Sequence, residues 1–206
     1  MQFPLTAIVA VILLVGEESS CSSVYNCTSN NNLNATTSKE VHVNCSSRGL
    51  DSIPTDLPNN TIYLYLQNND ISVIKNNTFN NLRHLIWLDL HHNDISVIED
   101  TTFNNLPKLT FLDIGENNIS VIEDTTFNNL PKLTFLLLDS NKITSIKSDT
   151  FNKLTNLAQL FLDSNKITSI KSDTFNKLNG TRRCSSERPW SRVVWECSPK
   201  WVVNSI

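Results

Sequence analysis

Residues 61–180 repeat with a period of 24, with units starting at Thr61, Leu85, Leu109, Leu133 and Leu157. Each unit follows L-x-x-L-x-L-x-x-N-x-I-x-x-I-x-x-x-x-F-x-x-L, as in Leu109, Leu112, Ile114, Asn117, Ile119, Ile122, Phe127 and Leu130. A fixed period of this length is the signature of a chain wound into coils that touch only their neighbours, and no single coil can bury its own apolar positions. The five units therefore stand or fall together as one elongated body.

Within a unit the apolar residues of Leu88-Asp89-Leu90 alternate with a polar one, so one side of a short strand faces the interior and the other faces outward. Asn69, Asn93, Asn117, Asn141 and Asn165 fall three residues later, where the chain turns and leaves backbone groups unpaired. An amide has both donors and acceptors, so each Asn is expected to tie its own turn to the next one. Aspartate would lack the donor, and alanine would leave the backbone unsatisfied. The return half carries one ring per unit, Phe79, Phe103, Phe127, Phe151 and Phe175, expected to stack in a column behind the strands.

The ends differ from the repeats. The apolar run from Phe3 to Val15, followed by Gly16-Glu17-Glu18-Ser19-Ser20, reads as a signal segment, because a span needs about 20 apolar residues. Export fits seven Asn-x-Ser/Thr sequons as glycosylation sites: Asn26, Asn34, Asn44, Asn59, Asn76, Asn118 and Asn179. It also fits five cysteines confined to the flanks, Cys21, Cys27 and Cys45 before the repeats and Cys184 and Cys197 after them, which suggests capping disulfides. The odd count leaves one thiol over. It is free, joins a second chain as a disulfide-linked dimer, or marks an irregular end. The organisation expected is a signal peptide at 1–20, an N-terminal cysteine cap with an Asn-rich insertion at 21–60, five repeats at 61–180, and an atypical or truncated C-terminal cap at 181–206. No later segment looks able to span a bilayer, so a secreted, extracellular chain is expected.

The 24-residue pattern resembles the extracellular leucine-rich repeats of Toll-like receptors, small matrix proteoglycans, Slit-type guidance proteins and variable lymphocyte receptors. The segment Val41-His42-Val43-Asn44-Cys45-Ser46-Ser47-Arg48-Gly49-Leu50-Asp51-Ser52-Ile53-Pro54 is similar to the end of their N-terminal cysteine cap, and Cys45-Ser46-Ser47-Arg48-Gly49-Leu50 is closest in style to the lymphocyte receptors. The resemblance implies an α/β-type leucine-rich repeat solenoid, with a curved parallel β-sheet on the concave face and short 3-10 or loop segments on the convex face. Two features depart from the pattern. The N-cap has three cysteines where the family usually has four, which implies that one of two disulfides is missing. At the C-terminal end, Arg188-Pro189-Trp190 stands where Asn-Pro-Trp is usual.

Counting along each unit, the second, third, fifth, seventh and eighth positions should look out from the strand ladder. The third position holds Tyr63, Trp87, Phe111, Phe135 and Gln159, and the fifth holds Tyr65, Asp89, Asp113, Leu137 and Phe161. Exposed rings are favoured anchors for a partner, although neighbouring rings would also pack on one another. Asp89, Asp113, Glu116, Asp139 and Asp163 add an acidic track suited to basic groups, with His91 and His92 beside it. Ile95–Leu112 and Ile119–Leu136 are identical, as are Leu138–Leu154 and Leu162–Leu178, and the copies differ mainly at strand-face positions. Such a pattern suits one scaffold presenting varied contacts.

These features point to recognition of a protein or glycan, of immune or receptor type, with an extracellular matrix organiser as the alternative. With a net charge of −3 and 18% charged residues, nothing steers the chain to nucleic acid. No cofactor, metal or catalytic residue is expected. There is no phosphate loop or nucleophile motif, and Asp89, His91, His92 and Glu116 lack the spacing of a dedicated metal site.

Overall fold

The computed structural model describes residues 27–31, 41–171, 174, 175 and 178. Cys21, Cys184, Cys197, Asn26, Asn34 and Asn179, the signal segment and the C-terminal flank lie outside the described residues.

Each repeat contributes one short strand to a single ladder, because the alternating apolar residues occupy a pleat that only a neighbouring coil can cover. The strands are β1 (Thr28–Asn31), β2 (Val41–Asn44), β3 (Thr61–Tyr65), β4 (Val73–Ile74), β5 (Trp87–Asp89), β6 (Val97–Ile98), β7 (Phe111–Asp113), β8 (Phe135–Leu137) and β9 (Gln159–Phe161). Seven of them form one sheet in the order β1-β2-β3-β5-β7-β8-β9, and β4 pairs with β6 on the return side. All pairings from β2 onward are parallel, as expected of a coil stack, whereas β1 runs antiparallel to β2 and closes the free edge. A disulfide joins Cys27, just before β1, to Cys45, just after β2. The expected return-side loops are runs of consecutive turns, with no helix among the described residues.

Residues one period apart meet side by side: Leu64, Leu88, Leu112, Leu136 and Leu160 share one register and point inward. Behind them Phe79, Phe103, Phe127, Phe151 and Phe175 stack with ring centroids 6.0, 6.1, 6.2 and 6.0 Å apart. Each ring is almost wholly buried, contributing roughly 1.5–3 kcal/mol by its removal from water.

The asparagine row forms as expected in kind but not in direction. Asn117 Oδ1 accepts from Ile95 N at 2.9 Å, and its Nδ2 donates to Leu90 O at 3.1 Å, Ile114 O at 3.1 Å and Gly115 O at 2.9 Å. Ile95 and Leu90 belong to the preceding coil, so each amide reaches back rather than forward. Asn69, Asn93, Asn141 and Asn165 repeat this arrangement. Backbone direction decides it: by the time the chain reaches the Asn, the coil below has already left its carbonyl and amide at hand.

Candidate functional site

The strand register places the candidate residues in rows. Tyr63, Trp87, Phe111, Phe135 and Gln159 form one row, and Tyr65, Asp89, Asp113, Leu137 and Phe161 form the next. The third-position row holds two groups of ring contacts. Trp87 stacks on Phe111 with centroids 3.5 Å apart, Phe111 meets Phe135 at 6.2 Å in a tilted pair, and His42 on β2 stacks on Tyr63 at 4.2 Å. His42 was not anticipated. A cap strand in register with the ladder was the signal that it would join the row. The outermost ring is Phe135, 37% exposed, while Tyr63, Trp87 and Phe111 are half-buried. Rings thus do pack on one another, yet they still offer a partly open aromatic strip in two groups, His42 with Tyr63 and Trp87 with Phe111 and Phe135.

The fifth position behaves differently from its expected role. Asp89, Asp113, Leu137 and Phe161 are all buried, and only Tyr65 is half-open. Side chains on the inner side of a curved sheet converge, so the rows on either side close over this one. Burial, reinforced by the neighbouring Tyr63 and by Asp89, raises the Tyr65 phenol above its ordinary value.

Much of the acidic track is spent inside the fold. Asp89 Oδ1 lies 3.2 Å from His91 N and 2.7 Å from His91 Nδ1, and Asp113 Oδ1 accepts from Gly115 N at 2.9 Å. These are turn contacts two residues ahead of the acid. Asp139 is also buried, whereas Asp163 is half-buried and Glu116 is exposed. His92 meets Glu116 across coils at 3.2 Å. Both occupy the eighth position, where Asn68, His92, Glu116, Ser140 and Ser164 all take the left-handed backbone, with φ between 53° and 58°. That row projects from a tight turn at the lip of the sheet.

The histidine and acid cluster considered from sequence is divided into two sets. His92 and Glu116 form an exposed pair, while Asp89, His91 and Asp113 have one possible donor atom each, all within 4.8 Å of one another. Of the sequons within the described residues, Asn44, Asn59 and Asn76 are exposed and Asn118 is half-buried. Asn44 Oδ1 accepts from Ser46 Oγ at 2.6 Å, Asn76 Oδ1 accepts from Thr101 N at 2.9 Å, and Asn118 Nδ2 donates to Asp94 at 3.2 Å.

Trp87 Nε1 is buried and has no acceptor among the described residues. A buried donor left unpaired weakens the fold, so Trp87→Phe, which keeps a ring for Phe111 and removes the donor, is expected to be neutral or slightly stabilising. Thermal unfolding of the two proteins checks this; a marked loss would mean that the indole N–H has a partner.

The leucine-rich repeat profile matches residues 59–117, 87–143 and 133–183, more than half of the chain. The chain belongs to the leucine-rich repeat family. Among leucine-rich repeat proteins it is similar to leucine-rich repeat-containing protein 3 of Danio rerio, 39% identical over 75 residues, which cover 36% of this chain and 26% of that protein. Homo sapiens decorin is 54% identical over 43 residues, 21% of this chain and 12% of decorin. A chain in the crystal structure of the TLR13–ssRNA13 complex superposes with a TM-score of 0.61 at 32% identity, over 69% of this chain and 20% of that one. The matched segments thus span about a quarter or less of each relative. No helix among the described residues is long and apolar enough to cross a membrane.

Proposed function

We propose that this leucine-rich repeat chain is an extracellular recognition module that binds a protein or glycan through the strand face. The observation that carries it is the aromatic strip from His42 and Tyr63 through Trp87 and Phe111 to Phe135, held at strand spacing on a rigid ladder. Partly open rings on an unyielding support lose little freedom on binding and are favoured anchors. Beside the strip, Glu116, His92 and Asp163 supply polar contacts at the rim. Export is supported by the Cys27–Cys45 disulfide, by the sequons and by the apolar first segment. The low charge argues against nucleic acid, but the similarity to a chain crystallised with ssRNA13 gives that exclusion no support, so RNA belongs in the binding assay. A matrix-organising role, favoured by the likeness to decorin, would use the same face with a broader partner.

The test uses surface plasmon resonance against the partner captured by the parent chain. Trp87→Ala and Phe111→Ala are each expected to weaken binding by about 2 kcal/mol or more. Because the two rings stack, each also lowers stability by roughly 1 kcal/mol, so binding is compared at matched folded fraction. Lys147→Ala and Lys171→Ala on the return side should leave binding unchanged. Lys147 is held by Glu123 of the preceding coil at 2.9 Å, which raises its basicity and ties the two coils together on the return side. Parent-like binding by the ring variants together with failure of the lysine variants would contradict the reading.

A further inference from the structure

We propose that Asp89, His91 and Asp113 form a site for a divalent transition-metal ion of the Zn2+ type, bridging the second and third coils. Asp89 and Asp113 are directly opposite each other on the parallel pair β5 and β7, so strand spacing alone brings their carboxylates together on one side of the sheet. Both residues are buried, at 9% and 5% exposure. Two like charges withdrawn from water repel each other strongly unless a cation or a proton is shared between them. His91 follows Asp89 by two residues and turns its Nδ1 back to within 2.7 Å of Asp89 Oδ1. One donor atom from each residue then falls within 4.8 Å of the other two. A metal with ligands at about 2.0–2.2 Å needs donors no farther apart than about 4.4 Å, so small side-chain rotations suffice.

A second, independent observation comes from the other coils. The register of Asp89 and Asp113 is filled by Leu137 and Phe161 in the fourth and fifth coils, both equally buried and on the same backbone. The fold therefore does not need acids there; an apolar side chain fills the place at lower electrostatic cost. At the seventh position the third coil carries Gly115, so no side chain competes with His91 for the space between the carboxylates. The donor set of two carboxylate oxygens and one imidazole nitrogen matches a borderline ion, with a further position left for water or for a group on a bound partner. An ion held through Nδ1 takes that nitrogen's lone pair, so the neutral ring carries its hydrogen on Nε2.

Zn2+ alone, titrated calorimetrically into the metal-stripped full chain, tests the site. The parent is expected to take up one equivalent and to gain thermal stability in proportion to occupancy. His91→Ala and Asp113→Leu should each lose at least about tenfold in affinity. The leucine is the residue that the fourth coil already carries at this register, so the second variant should fold as the parent does. His92→Ala, His42→Ala and His84→Ala should bind as the parent does. Parent affinity retained by Asp113→Leu, an equal loss in His92→Ala, or no uptake by the parent at millimolar Zn2+ would each overturn the assignment.

Discussion

Phe127→Ala is expected to lower stability by about 3–5 kcal/mol, the range for removing a buried ring whose neighbours cannot close the gap. Phe127 has no exposed surface, and its ring lies between Phe103 at 6.1 Å and Phe151 at 6.2 Å. Those rings are fixed by their own coils, each tied to strands and turns at the repeat spacing, so neither can move into the space without breaking a ladder. The central position matters as well. In a one-dimensional stack, weakening one interface uncouples the coils on either side, and unfolding can begin there. Phe175, with a stacking partner on one side among the described residues, should tolerate truncation better. Chemical denaturation of Phe127→Ala and Phe175→Ala decides the point: a midpoint shift larger at 175 than at 127 would mean the column is not the spine of the fold.

Asn117→Ala is expected to cost about 1–3 kcal/mol, although it removes a polar residue from an apolar interior. The amide bonds Ile95 N, Leu90 O, Ile114 O and Gly115 O. Alanine leaves Ile95 N without an acceptor, while Leu90 O keeps Asn93 Nδ2, Ile114 O keeps Asn141 Nδ2 and Gly115 O keeps His92 N. An unpaired buried donor costs about 1–3 kcal/mol, and each carbonyl loses one of its donors as well. Asn117→Asp separates the two halves of the role. The carboxylate still accepts from Ile95 N but faces three carbonyls with negative charge, so its folded-state pKa is raised above the unfolded value. Stability relative to the parent should then recover as the pH is lowered and the carboxyl regains a donor. Equal losses for Ala and Asp at every pH would show that volume, not hydrogen bonding, sets the cost.

The period, the phenylalanine column and the asparagine row were legible because each is a repeated residue type whose chemistry has one sensible use. What the sequence concealed follows from curvature and chain direction. Nothing in Leu137 or Phe161 announces that the fifth position is covered, because a strand pattern separates inside from outside but not crowded from open. Asp89 and Asp113 looked like surface charges for the same reason. They are buried acids bonded to their own turns; the register between coils sets the two side by side, and His91 reaches Asp89 from its own turn while His92 meets Glu116. Chain direction likewise sends each asparagine back to the coil before it.

The strand face as the contact surface is tested most directly by photo-crosslinking. Phe135→p-benzoylphenylalanine places a reactive ring on the most exposed ring of the aromatic strip, and Val121→p-benzoylphenylalanine places the same group on the return side, where Val121 is 59% exposed. With the partner captured by the parent chain, irradiation is expected to yield a covalent adduct from position 135 and none from position 121. An adduct from position 121, with none from 135 although both chains still bind, would contradict the account and move recognition to the return side.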